Sequence, residues 1–185
     1  MKSDKQKIIA VVGMPGAGKT TACEFFRQKG IPVLRFGDET DRGLREMGKP
    51  LTEENERCYR EKLRKELGMA AYAIKIRPRI EKALKENNLL VLDGLYSWEE
   101  YEYLKKFYDN LFLLCVYVSP QIRYERLSAR KIRNLAVEEA RQRDIAEVIN
   151  LHKGPPIAIA DYLIKNEGSV GNLYKELEEL FKKWQ

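Results

Sequence analysis

The sequence has one histidine, three cysteines and no apolar run long enough to cross a bilayer. A lone His152 argues against a histidine-based metal centre and against a Ser-His triad. Cys23, Cys58 and Cys115 are odd in number and widely spaced, so they make neither a disulfide framework nor a zinc pattern. That cysteine usage fits a reducing compartment, and a cytoplasmic protein is expected. The longest apolar stretch, Leu111–Val118, is the size of a strand. Met1–Lys7 is polar and has no apolar signal-peptide core. Repeats, low-complexity tracts and long Pro/Gly/Ser linkers are also missing. A chain of 185 residues without these breaks is expected to form one domain, residues 1–185, with a full core.

What is present is a 44% hydrophobic share, which excludes a disordered chain, and a strong charge content. Lys and Arg number 34 against 28 Asp and Glu, a formal charge of +6. A basic balance fits nucleic acid, an acidic membrane surface or a phosphorylated small substrate. It equally fits a surface coated with interspersed charge.

Strand-like apolar runs alternate with helical patterns, the mark of an α/β domain with a parallel sheet. Ile8–Val12, Ile31–Phe36, Leu89–Asp93, Leu113–Val118 and Tyr162–Lys165 read as strands, apolar on both faces as buried parallel strands are. A helix is expected over Lys19–Lys29, ended by Gly30. A charged insert follows the second strand and is expected to span about 38–87. Within it Glu53–Glu66 has helical spacing, with Tyr59, Leu63 and Leu67 on one stripe and Arg57, Arg60 and Arg64 on another. Pro50, Gly68 and Pro78 are expected to punctuate it. Helices are expected over Pro120–Arg130, Glu138–Leu151 and Val170–Trp184. The last carries Leu173, Leu177, Leu180 and Trp184 on one face.

The strongest motif is Gly13-Met14-Pro15-Gly16-Ala17-Gly18-Lys19-Thr20, which matches G-x-x-x-x-G-K-[ST] between a strand and a helix. Glycines let the backbone wrap with its N–H groups turned inward, a nest for phosphate oxygens. The helix N-terminus adds partial positive charge. The expected nucleotide contacts are Gly13, Pro15, Gly16, Ala17, Gly18, Lys19, Thr20 and the adjacent Thr21. Lys19 can bridge the β- and γ-phosphates, and Thr20 can ligate Mg²⁺. ATP and Mg²⁺ are therefore the expected cofactors. Asp93, at the end of the third strand, is expected to hold Mg²⁺ through water; Ser97, with Glu100 three residues on, serves better as the next helix cap. No Glu follows Asp93 directly, which tilts against ATP hydrolysis as the product reaction.

Arginines concentrate around 123–143. Arg123, Arg126 and Arg130 lie on one helix, Lys131 and Arg133 in the break after it, and Arg141 and Arg143 on the returning helix. Cations on both sides of a short excursion suit a closing lid, about 130–143, that stabilises a transferring phosphoryl and excludes water. Arg123 taken alone reads as a solvated charge. A nucleic-acid surface would interleave aromatics with the arginines, and only Tyr124 is near.

These segments resemble P-loop small-molecule kinases of the nucleoside monophosphate kinase type, above all dephospho-CoA kinases and the adenylate-kinase-related proteins of archaea. The resemblance covers nearly the whole chain. Gly13–Thr20 matches the phosphate loop, Gly37-Asp38 the start of the acceptor region, Asp93-Gly94 the strand-end motif and Ser119–Arg130 the helix into the lid. Ala160–Gly168 is similar to the A-D-Y-x-I-x-N segment of dephospho-CoA kinases. The resemblance implies a five-stranded sheet of order 2-3-1-4-5, with an acceptor-binding insert and a lid. It implies that Arg126 stacks on adenine and that Asn166 and Gly168 pass near it. Arg130 would contact the transferred phosphate, with Arg141 or Arg143 on the far side of the lid. Asp38 would orient an acceptor hydroxyl or take its proton; the bland alternative is a helix cap.

Two departures bear on the acceptor. No Arg follows Asp93-Gly94, where Leu95-Tyr96-Ser97-Trp98 stands, and Arg42 is out of register after Gly37-Asp38. Arg57, Arg60, Arg64, Arg77 or Arg79 can substitute as a phosphate clamp. The pair Tyr96 and Trp98 suits a larger acceptor with a flat part. The sequence thus reads as an ATP-dependent phosphotransferase on a small nucleotide-like acceptor. Dephospho-CoA is its first candidate, a nucleoside monophosphate its second, and a nucleotide-gated binding protein the alternative of another class. Expected acceptor contacts are Asp38, Arg42, Arg64, Tyr96 and Arg141.

Overall fold

In the computed structural model the first strand, β1 (Lys7–Val12), is buried on both faces. Ile8, Ala10 and Val12 turn to one core and Ile9 and Val11 to the other. Period-two alternation of apolar residues on both sides is what places β1 in the middle of the sheet. The structure describes residues 6–131 and 134–184. The reading of Met1–Lys7 therefore falls largely outside the described residues, and that of Arg133 wholly so.

In chain order β1 is followed by α1 (Lys19–Gln28), β2 (Val33–Arg35), α2 (Asp38–Glu46), α3 (Glu53–Leu67) and α4 (Ala71–Leu84). Then come β3 (Leu89–Asp93), α5 (Trp98–Lys105), β4 (Leu111–Tyr117), α6 (Pro120–Ser128), α7 (Val137–Asn150), α8 (Gly154–Ala158), β5 (Tyr162–Lys165) and α9 (Val170–Lys182). The five strands are parallel, in the order β2-β3-β1-β4-β5. This is the order the resemblance implies. Register sets Val11 opposite Asp93 and Val12 opposite Cys115. The loop after β1 and the end of β3 therefore meet at the carboxyl edge of the sheet, where the connections part to opposite sides and ligands bind in such folds.

One core lies under α1 and α9. Phe26 stacks on Trp184 at 5.9 Å between ring centres, and Phe25 meets Tyr174 edge-on. The other lies under α2 to α5. In the segment Gly68–Ala73, Gly68 caps α3 and Ala71, Tyr72 and Ala73 are buried in that core. Leu63 joins that core from α3, while Leu67 stays exposed.

Local signals fix the helix starts. Thr52, Ser97 and Ser169 each accept the N–H three residues on, and Ser97 with Glu100 forms the expected capping box. Several boundaries differ from the sequence reading, and α6 stops at Ser128, so Arg130 lies past its end. Pro78 does not break the insert but sits inside α4. The missing N–H costs about 3 kcal/mol in a helix interior; burial of Ile76, Ile80 and Leu84 on the sheet offsets it. Strand β2 is shorter than Ile31–Phe36 because Pro32 has no N–H, although its carbonyl still accepts from Val91 at 3.0 Å. Strand β4 starts at Leu111, two residues early, paired to Ile8.

Candidate functional site

The phosphate loop turns at Gly13, Gly16 and Gly18, with φ of +143°, +80° and +97°. All three are required by neighbours as well as by φ: a Cβ on Gly13 would lie 2.4 Å from the Val116 carbonyl oxygen, one on Gly16 2.8 Å from that of Arg123, and one on Gly18 would strike the Asn166 amide. Lys19 Nζ donates to Gly13 O at 2.9 Å and Met14 O at 3.2 Å. Burial, reinforced by the charge of Lys153, pulls the Lys19 amine down to about 7; Glu147, Asp93 and Cys23 oppose the shift. Helix α1 opens with no side-chain cap and no acid in its first turn, which leaves its N–H groups to an anion.

ATP and Mg²⁺ fit this set of groups. Thr20 is exposed at the start of α1, and Asp93 is buried at the end of β3 within the field of Lys19. Burial raises the Asp93 carboxyl, and Lys19, Arg27 and Arg35 hold the rise back. Among the described residues no group of three or more His, Cys, Asp and Glu gathers to hold a metal. A cation held mainly by phosphate oxygens and water, with one or two protein oxygens, is what Mg²⁺ prefers. Thr20 and, through water, Asp93 would hold it there, and its charge would neutralise the phosphates.

Arg123 corrects the sequence reading. It is not solvated but 4% exposed, and its guanidinium is fully engaged. Nη1 and Nη2 donate to the Asp144 carboxylate at 3.0 and 2.6 Å, Nη1 also to Pro15 O at 3.1 Å, and Nε to Val118 O at 3.2 Å. Tyr124 donates its hydroxyl to the same Asp144. The pair ties α6 and α7 together against the phosphate loop. Asn166 acts from the other side, donating to Ala17 O at 2.8 Å. Its neighbours in the A-D-Y segment brace the sheet: Asp161 accepts the Leu113 N–H and Glu167 that of Ser119.

Beside the loop lies a cleft of about 990 Å³ between the insert and α7. Arg57, Arg60 and Arg64 of α3 line one wall, with Tyr72 and Tyr96 at its base; Arg130, Arg143 and Glu147 line the other. Arg60 is paired to Glu53 and Glu56, and Arg143 to Glu147. Arg57 and Arg130 form no ion pair among the described residues. The Arg64 guanidinium lies 5.6 Å over the Tyr72 ring, and its buried Nε has no hydrogen-bond partner. Tyr72 and Thr40 share a 2.6 Å hydrogen bond that fixes the ring.

Of the expected acceptor contacts the cleft gathers Arg64 and Tyr96, and of the lid arginines Arg130 and Arg143. It does not gather Arg42 or Arg141, both exposed and outside its walls, nor the half-exposed Arg126. Asp38 lies outside it too. Arg35 holds one carboxylate oxygen at 2.8 Å and Arg79 the other at 3.2 Å. Burial alone would raise the Asp38 carboxyl, but those two hydrogen bonds outweigh it and leave it below the usual range. An anion so stabilised is a poor proton acceptor. It is not a cap either, since Gly37 starts α2 without a side-chain bond. Trp98 packs on Tyr101 at 5.4 Å, so of the expected pair only Tyr96 reaches the cleft. Gly168 lies exposed after Glu167, at the loop that Asn166 anchors.

Glu100 holds Tyr96 in place by accepting its N–H at 2.7 Å and that of Ser97 at 3.2 Å. Burial raises the Glu100 carboxyl to about 7; the two N–H groups and Arg64 oppose it. The folded pKa exceeds the unfolded one, so the group's contribution is whole below pH 4.5 and is lost as pH rises to about 7. Glu100→Gln is expected to gain about 3 kcal/mol relative to the native chain between pH 4.5 and 8. Urea melts of both at the two pH values measure it; a pH-independent difference is the contrary result.

With the geometry in place, comparison with known proteins assigns the family. A model of an AAA domain matches residues 9–147. A UPF0200 protein of Pyrococcus abyssi is 34% identical over 180 residues, covering 95% of this chain and 96% of that one. The chain belongs to the UPF0200 family. Among solved structures, TT1252 from Thermus thermophilus superposes with a TM-score of 0.68 at 21% identity, over 98% of this chain and 100% of that one. A shikimate kinase from Bacteroides thetaiotaomicron gives 0.61 at 17% identity, over 95% and 98%. This UPF0200 member thus has a P-loop kinase-like fold, and no helix among its described residues is long and apolar enough to cross a membrane.

The residues that sequence reasoning missed are Asp144, Glu147 and Lys153. All three are buried charges on or after α7. Nothing local separates them from the surface Lys and Glu that surround them, because each is defined by a partner in another turn or element.

Proposed function

We propose that the protein transfers the terminal phosphoryl group of ATP·Mg²⁺ to a small nucleotide-like acceptor held in the cleft between α3 and α7. The observation that carries this reading is that arginines from α3 and from beyond α6 and on α7 face one cleft, beside a phosphate loop whose lysine is partly buried and bonded to the loop's own carbonyls. Opposed cations there would hold an anionic acceptor and neutralise the charge of a transferring phosphoryl. Thr20 and Asp93 would serve Mg²⁺, Lys19 the donor phosphates, and Arg130 and Arg143 the group in transit. Likeness of fold to a shikimate kinase supports a kinase in general and leaves the acceptor to the cleft itself.

Dephospho-CoA is the first acceptor to test. It offers a diphosphate for the α3 arginines and a flat base for Tyr72 or Tyr96. A nucleoside monophosphate is the second. It is favoured by the three α3 arginines, which supply the phosphate clamp missing after Gly94, and by the engaged state of Asp38. Purified protein is incubated with ATP and Mg²⁺, alone and with dephospho-CoA, AMP, CMP, UMP, GMP or deoxynucleotides, and ADP is measured. Release of ADP that depends on one acceptor is expected. Slow ADP release indifferent to every acceptor would favour a nucleotide-gated binding protein instead.

A further inference from the structure

Lys153 is 2% exposed, the most deeply buried lysine of the core, yet it lies in the short connection between α7 and α8. The chain bends sharply to put it there. His152 before it has φ of +49°, the one non-glycine residue in the left-handed region among those described. For a histidine that conformation is uncommon and persists only where the surroundings enforce it. Here the His152 carbonyl accepts the Trp98 N–H, and its ring bonds Glu99 at 2.6 Å. Two anchors on α5 therefore hold a strained residue whose consequence is the burial of the next side chain.

The buried amine is under-used. An ammonium has three donors. Among the described residues Lys153 Nζ makes one hydrogen bond, to Glu147 Oε2, and lies 4.9 Å over the Tyr96 ring. Glu147 is meanwhile doubly served, since Arg143 Nε donates to its other oxygen at 3.0 Å. Lys153 can thus turn away without leaving a buried carboxylate unpaired, which is the step that normally forbids such a move.

Its position gives the spare donors an object. Tyr96 and Glu147 line the cleft, and Tyr96 follows Asp93-Gly94 at the end of β3. On the other side the Tyr96 ring lies against Gly94, where an added Cβ would come 3.1 Å from it, and Asp93 pairs in register with Val11, two residues before the phosphate loop. Lys153 therefore sits at the seam between phosphate loop and cleft. An ammonium with unused donors at that seam is a ready partner for an anion that enters it. The groups facing this seam are Lys19 of α1, Asp93 and Tyr96 from the β3 side, and Arg143, Asp144 and Glu147 of α7.

We propose that Lys153 is a second phosphate-directed amine of the nucleotide site, held on Glu147 in this structure and turned to the terminal phosphoryl of a bound nucleoside triphosphate. Through it the protein tells triphosphate from diphosphate. The inference rests on the phosphotransferase reading above and adds a residue that the phosphate loop and lid do not supply.

Calorimetric titration with AMP-PNP·Mg²⁺ and ADP·Mg²⁺ tests it. The native chain is expected to bind both. Lys153→Met is expected to weaken AMP-PNP by about tenfold or more, the worth of a charge-assisted hydrogen bond, and to leave ADP nearly unchanged. Because Lys153→Met changes a buried pair, Glu147→Gln is compared with Glu147→Gln/Lys153→Met, in which no buried carboxylate remains at that position. Preference for AMP-PNP over ADP is expected to rise in the single variant and to collapse in the double one. Equal effects on the two nucleotides, or none, overturn the role of Lys153 while the nucleotide reading stands. A native chain that binds neither nucleotide overturns both.

Discussion

Arg123→Met is expected to lower folding stability by about 3–5 kcal/mol, a fall in melting temperature of roughly 10 °C. The guanidinium is buried and serves four acceptor contacts, two on Asp144 and one each on Pro15 O and Val118 O. Its removal leaves the Asp144 carboxylate buried with only the Tyr124 hydroxyl, and an unpaired buried charge is the costly outcome. The double variant Arg123→Met/Asp144→Leu removes both charges and is expected to recover much of the loss. That recovery separates a desolvated pair from a mere packing defect. Because Arg123 Nη1 also donates to Pro15 O, its loss should loosen the phosphate loop and weaken ADP·Mg²⁺ binding in the fraction that stays folded. Denaturant melts of the two variants decide it. A single variant within 1 kcal/mol or so of the native chain would show the pair to be of the weak surface kind.

Lys19→Ala is expected to reduce acceptor-dependent turnover by at least about 10²–10³-fold, the usual consequence of removing one pre-placed charge from a transferring group. Stability should move the other way. The folded amine titrates at about 7 against 10.5 unfolded, so folding disfavours its protonated form. Its contribution to stability is whole above pH 10.5 and is lost as pH falls through 7. The alanine variant should therefore be more stable than the native chain, and by the widest margin below pH 7. Turnover and melting measured together at pH 6 and pH 9 check both halves. Near-native turnover would remove Lys19 from the chemistry. A stability gap that widens toward pH 9 would contradict the buried state of the amine.

Much of the architecture was legible because its signals are local. The strand runs, the glycine turn before α1 and the caps at Thr52, Ser97 and Ser169 are each written within a few residues. Pro78 shows the limit of such reading. Its local rule asks for a break, and the packing of Ile76, Ile80 and Leu84 against the sheet overrules it. The arginines around α6 show the same limit in charge: the helix holds Arg123 in the interior and Arg126 half in solvent, and Arg130, two residues past its end, lines the cleft. Asp38 was legible as the head of the insert, but its ties to Arg35 and Arg79 were not.

The lone His152 binds Glu99, and Cys23 and Cys115 are buried in the core. The sequence by itself determined the alternation of strands and helices and the phosphate loop, since periodicity and glycine spacing act over one or two turns of chain. Only the tertiary structure decided which charges are buried. Arg123 and Asp144 are separated by 21 residues and Asn166 and Ala17 by 149, and a desolvated ion differs from a solvated one only through partners brought together by folding.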